Sequence, residues 1–202
     1  MSRYLKDARI RSFRELREYW REDIRVNNGF WRPGAQALIM YRLGVWQMGL
    51  QRGILRSFAL RLYRFLHAFV RNRYGIELYA SARIGRRLII AHQHGIVLHP
   101  GLVMGDDCLI RHSVTIGYGG GFTRLKPKDG MEPRRGPTTG DRVEIGAGAV
   151  IVGPITIGDD VKIGPNAVVM RSVPAGSVVT APAARVISRP RGEPNGKRGV
   201  EG

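Results

Sequence analysis

The chain has 202 residues (22.5 kDa), 43% of them apolar, which is enough to bury the core of one ordinary domain and a smaller appendage. Thirty-three Lys and Arg against sixteen Asp and Glu leave a net charge of +17, so the surface attracts anions: phosphates, acidic lipid or nucleic acid. The single cysteine, Cys108, excludes an internal disulfide framework and agrees with a reducing, cytoplasmic compartment.

The first twenty residues interleave charges and hold no uninterrupted apolar core of signal-peptide length. Residues 35–50 form the most apolar window, but Arg42 interrupts it and it falls short of the ~20 residues that span a bilayer. No transmembrane helix is expected. Up to about residue 74 the pattern is helical: Phe13, Leu16, Trp20 and Ile24 recur at three- and four-residue spacing, and Leu55, Phe58, Leu62, Phe65 and Phe69 do so again. The Asn, Gly and Pro of NNGFWRPG (27–34) break the first run and Gly53 separates the later two, so three helices are expected in a region 1–74.

That region carries 16 Lys/Arg and 5 Asp/Glu, with Trp20, Trp31 and Trp46 among the arginines. Such a surface suits a peripheral contact with anionic lipid, or a solvated face beside a subunit contact. Nucleic acid is not expected, since there is no helix-turn-helix spacing, zinc motif or aromatic RNA-binding signature.

From about residue 75 the period becomes six. Ile145, Ile151, Ile157, Ile163 and Val169 form one register; Val143, Ala149, Ile155, Val161, Ala167 and Val173 form another, two residues earlier. Upstream, Leu98, Met104, Ile110 and Ile116 continue the first, and Ile96, Leu102, Cys108 and Val114 the second, which makes Cys108 a core residue rather than a reactive thiol. Two inward positions per six residues, with glycine at many corners, describe a prism of short parallel strands in which each coil buries its aliphatic residues against its neighbours.

Three segments depart from the period. Ile90 to Leu98 spans eight residues instead of six, so two residues are inserted around HQHG. Residues 118–142 are basic, rich in Gly and Pro and without the hexad, and are expected to loop out; residues 189–202 read as a flexible tail.

Hexads of this kind, with AHQHGIVL, VTIG, a protruding loop and then VEIGAGAVIVGPITIG, resemble the left-handed parallel β-helix acyltransferases, and the whole arrangement over 76–190 is similar to their serine acetyltransferase branch. The helical N-terminus is closer in kind to members associated with exopolysaccharide synthesis. The resemblance implies a left-handed β-helix domain over 75–188, a trimer or a multiple of it, and acetyl-CoA as co-substrate lying along the groove between subunits. It puts the catalytic histidine on His92 and the carboxylate that orients it on Glu77. The chemistry asks for such a pair independently, since a neutral imidazole can take a hydroxyl proton while a carboxylate fixes its tautomer.

Carried over in the same way, Ala147 and Pro165 lie beside the pantetheine groove and Arg171 and Arg185 meet the CoA phosphates. Gly117 is expected among the cofactor-binding residues, with backbone amides near it stabilising the tetrahedral oxyanion. His94, His99 and His112 lie near His92, but no Cys or carboxylate stands at matching ligand spacing, and no metal is expected. The acceptor positions differ from the branch. Where it has an Asp before the histidine and an Arg-His pair in the loop, this chain has Ala91, Arg135 and Gly136. An amino-acid ammonium would lose its partner, whereas a sugar hydroxyl would not, and Tyr118 and Phe122 offer it an aromatic face. The expectation is an acetyl-CoA-dependent O-acetyltransferase acting on a sugar of a surface or exopolysaccharide precursor, in the cytoplasm or at the inner membrane face. The alternatives are a serine O-acetyltransferase of cysteine synthesis and, outside enzymes, a non-catalytic β-helix scaffold.

Overall fold

A computed structural model describes residues 9–118, 136–185 and 187. Three helices precede the repeats: α1 (Phe13–Val26), α2 (Pro33–Gly49) and α3 (Ile54–Tyr74). Ser12 caps α1 by accepting from the Glu15 amide, Pro33 opens α2, and Gly75 closes α3 in the left-handed conformation with its N–H donating to the Arg71 carbonyl. None of these helices is long and apolar enough to cross a membrane.

Fourteen short strands follow among the described residues. The first coil holds β1 (Ile76–Leu78), β2 (Arg83–Ile84) and β3 (Ile89–Ile90); the second, β4 (Ile96–Leu98), β5 (Val103–Met104) and β6 (Leu109–Ile110). The third holds β7 (Thr115–Gly117), β8 (Thr138–Thr139) and β9 (Glu144–Ile145); the fourth, β10 (Val150–Val152), β11 (Thr156–Ile157) and β12 (Lys162–Ile163). β13 (Val168–Val169) and β14 (Val178–Val179) begin a fifth. They stack into three walls, β1-β4-β7-β10-β13, β2-β5-β8-β11 and β3-β6-β9-β12-β14, with every pairing parallel. This is the hexad prism expected from the period. The residues of both registers are buried in one continuous core, Cys108 among them; Val173 alone is half-buried, bridging to Ile157 at the unfinished last coil.

Coil spacing follows from the registers. Val97 pairs with Thr115, eighteen positions on, but Val103 pairs with Thr138, thirty-five on. The segment expected to loop out over 118–142 therefore ends earlier. Thr138–Thr139 rejoin the wall as β8, and Asp141 and Arg142 turn the next corner, because Thr139 is small enough to occupy an inward position that an aliphatic residue fills elsewhere. Residues 119–135 and the tail 189–202 lie outside the described residues.

The corners are held by side chains at coil spacing. Asp106, Asp141 and Asp159 each accept from the backbone N–H of the equivalent residue one coil back: Arg86 (2.8 Å), Asp106 (2.7 Å) and Asp141 (2.8 Å). Arg87 pairs with Asp107, and Arg142 with Asp160, one position along.

The open end of the prism is closed by the helices. A first coil has no predecessor, so its strand edges present unpaired peptide groups. Tyr41 donates its hydroxyl to the Ala82 carbonyl and accepts from the Ile84 amide, while Asn27 donates to the Leu88 carbonyl and accepts from the Ile90 amide. Arg42 donates to the carbonyls of Ile84 (2.8 Å) and Gly85 (2.5 Å) and pairs with Asp23 at 2.9 Å, wholly buried. The arginine that interrupts the apolar window thus supplies the missing strand's hydrogen bonds.

Candidate active site

The insertion turns the corner between β3 and β4. Ile90 pairs with Ile110, twenty positions on, and Val97 with Thr115, eighteen on, so the residues in excess are those around His92 and Gln93. The Ala91 N–H donates to the Ile110 carbonyl and the His94 N–H to the Tyr74 carbonyl, which anchors the bulge on both sides. His94 and Gly95 have positive φ (76° and 69°), and a Cβ at Gly95 would lie 3.2 Å from the Ser113 Cα; only glycine follows the turn without pushing the next coil away. The bulge leaves Ala91, His92, Gln93 and His94 exposed.

The His92 ring meets His112, at the next corner, edge-on with centroids 5.7 Å apart. Below His112 the column continues through Ala147 and Pro165, whose corners interlock: Gly148 N–H donates to the His112 carbonyl and Asn166 N–H to the Ala147 carbonyl. The structure thus brings His92, His112, Ala147 and Pro165 into one line along the prism. Arg171 is exposed in the last coil, and Arg185 is exposed six residues after β14.

Glu77 lies on β1, facing out because Ile76 and Leu78 face the core. Its carboxylate accepts from the Tyr79 hydroxyl at 3.2 Å. The Tyr79 ring meets His67 at a tilt (centroids 5.2 Å apart), and His67 meets Tyr63 in the same way (5.7 Å). Burial and the nearby Arg71 hold His67 below the usual histidine range against the pull of Glu77, and its buried Nε2 has no hydrogen-bond partner among the described residues. Within one chain no hydrogen bond joins Glu77 to His92. Sequence reasoning missed Tyr79, although alternation along β1 puts it on the outward side with Glu77; nothing local pointed to His67.

Tyr118 and Gly136 flank the undescribed segment and both rest on His99. The Tyr118 ring lies 6.5 Å from the His99 ring, and a Cβ on Gly136 would lie 2.9 Å from His99 Nδ1. That nitrogen accepts from the Gly101 N–H at 3.0 Å, and burial holds His99 below the usual histidine range. Among the described residues, no atom lies within 4 Å of a Cβ placed on Gly117. Phe122 and Arg135 lie outside the described residues. No group of three or more His, Cys, Asp or Glu that could hold a metal occurs among the described residues.

The model of the bacterial transferase hexapeptide (six repeats) family matches residues 136–171. The serine acetyltransferase of Mycobacterium tuberculosis is 40% identical over 167 residues, covering 83% of this chain, which spans only 66% of that protein. An Escherichia coli protein named as a colanic acid biosynthesis acetyltransferase, WcaB, is 36% identical over 172 residues, covering 82% of this chain and 96% of that one. The crystal structure of serine acetyltransferase from Vibrio cholerae superposes with a TM-score of 0.67 at 27% identity, covering 88% of this chain and 67% of that chain.

Proposed function

This chain belongs to the hexapeptide acetyltransferase family that includes the serine acetyltransferases and WcaB, and from that premise we propose that it transfers an acetyl group from acetyl-CoA to an acceptor hydroxyl. The observation that carries the reading is the exposed His92 bulge at the head of a corner column whose lower positions, Ala147 and Pro165, are small. A pantetheine arm needs a narrow path without bulky side chains, and the exposed Arg171 of the last coil, with the exposed Arg185 that follows β14 in the chain, suits CoA phosphates. Several copies packing wall to wall, as a trimer or a multiple of it, would wall in that path; the exposed Val97 and Val168 on the β4 and β13 faces support such packing.

In this mechanism neutral His92 takes the acceptor hydroxyl's proton as the oxygen attacks the thioester carbonyl carbon. Backbone amides beside Gly117 stabilise the tetrahedral oxyanion. Collapse breaks the carbon–sulfur bond, and the imidazolium returns its proton to the departing CoA thiolate. Glu77 orients the imidazole; such contacts are often long without substrate and tighten in the complex.

For the acceptor we propose a sugar hydroxyl of a surface or exopolysaccharide precursor. Ala91 leaves no carboxylate before His92 to hold an ammonium, and the relative named for colanic acid aligns over nearly its whole length. Serine is the second reading, favoured by the name of the Mycobacterium relative. Free-thiol release from acetyl-CoA, wild type against His92→Ala, with L-serine and with nucleotide-linked sugars, separates them. Sugar-dependent release falling by roughly 10²–10⁴-fold in the variant is expected. Serine-dependent release would overturn the acceptor assignment, and no release with either would favour the scaffold.

A further inference from the structure

α3 has two apolar faces where a helix on the surface of a globular protein needs one. Ala59, Tyr63, Leu66 and Val70 form the face packed on the rest of the molecule. The residue before each of them is also apolar and points away from it: Phe58 (63% exposed), Leu62, Phe65 (69%) and Phe69. One residue is about 100° of helix, so these four make a separate stripe, which Leu55 and Ile54 extend to the helix start, about 22 Å in all.

Arginines border the stripe. Arg61 lies three residues after Phe58 and four before Phe65, and Arg73 four after Phe69, which are the spacings of surface neighbours on a helix. Arg64 and Arg71 are exposed on the same helix. No acidic residue occurs between Asp23 and Glu77, and none of these arginines has a carboxylate partner among the described residues.

We propose that α3 lies flat on an anionic phospholipid bilayer, the phenylalanines entering the acyl boundary and the arginines meeting headgroup phosphates. Charge selects this occupant. A second copy paired stripe to stripe would bring two sets of arginines together with no acid on either helix to neutralise them, whereas an anionic bilayer answers both the apolar and the basic parts of the surface. Arginine stems extend along apolar surface while their heads stay in the polar layer. The proposal is independent of the acyl-transfer reading and adds to it a location for the protein.

The test is co-sedimentation of the full chain with vesicles of phosphatidylcholine alone, or with about one third phosphatidylglycerol. Binding to the anionic vesicles only, weakening as salt rises, is expected. Arg61→Gln should weaken it about fivefold, and Phe58→Ser with Phe65→Ser by at least about tenfold. These side chains are largely exposed, so the variants should keep the wild-type melt and any thiol release from acetyl-CoA. Equal binding to neutral vesicles, or anionic binding that survives the phenylalanine pair, overturns the proposal. So does absence of vesicle binding with a fall in solution mass in that pair, which would make the stripe a contact between copies. Loss of thiol release in wild type would count against the enzyme reading and leave this result standing.

Discussion

Replacing Arg42 by Met tests the idea that the helices complete the prism. The guanidinium, stacked 4.6 Å from the Tyr19 ring centroid and 5.1 Å from that of Tyr41, bonds the Ile84 and Gly85 carbonyls and the Asp23 carboxylate at once. Methionine fills similar space and bonds none of them. The buried Ile84 carbonyl without a donor would cost about 1–3 kcal/mol and the partly buried Gly85 carbonyl less, and removing one partner of a buried ion pair typically costs about 3–5 kcal/mol. These overlap, and a net loss of about 3–5 kcal/mol is a large part of the 5–15 kcal/mol typical of a domain. Urea unfolding followed by tryptophan fluorescence, with Trp46 in the helical core, would read it.

Burial raises the Asp23 carboxyl above its ordinary range even beside Arg42, so in Arg42→Met it should bind a proton more readily still. The folded state then holds that proton more tightly than the unfolded chain, and the variant should regain stability as pH falls through the raised folded value towards the ordinary carboxylate range. The double variant Arg42→Met/Asp23→Leu removes the stranded charge but not the stranded carbonyls, and should still lose about 1–3 kcal/mol. Arg42→Met within about 1 kcal/mol of wild type would refute the cap.

Cys108, whose thiol burial pushes up to about 12, should resist thiol-directed reagents in the native protein and react once urea unfolds it; native reactivity at the unfolded rate would contradict its core position. Burial, with Arg71 nearby, lowers the His67 pKa, so the unfolded chain binds that proton first as pH falls, and stability should decline below the ordinary histidine value. His67→Phe, which also removes a stranded nitrogen, should flatten that decline in urea midpoints between pH 7 and pH 5; an identical slope would exclude His67 as its source. A Cβ at Gly105 would fall against the Gly140 carbonyl, so Gly105→Ala should separate coils two and three and lower stability by about 2 kcal/mol or more, read by thermal melting.

The prism was legible because a solenoid turns distance in space into a fixed distance in sequence. Ile145, Ile151 and Ile157 announce their walls by spacing alone, and the break between Ile90 and Leu98 located the His92 bulge. The end of the loop was less visible, since Thr138 and Thr139 carry no aliphatic signal and rejoin the wall through backbone pairing. The cap was invisible for another reason. Asn27 and Leu88, or Arg42 and Ile84, meet across forty to sixty residues with no period to connect them, and an arginine in an apolar window reads as a blemish until its acceptors are known. Glu77 was found by chemistry, but its neighbours Tyr79 and His67 come from a strand and a helix whose meeting no local pattern records.

The jump from eighteen to thirty-five residues between paired positions has a consequence for how this protein can change. Closing a loop of twice the length costs only about 0.6 kcal/mol more in chain entropy, and the walls on either side keep their register across it. Added chain length between Gly117 and Gly136 is therefore a small cost to the scaffold. The length and sequence of that stretch can vary while the coils on either side keep their pairing, so change is concentrated where it costs the frame least.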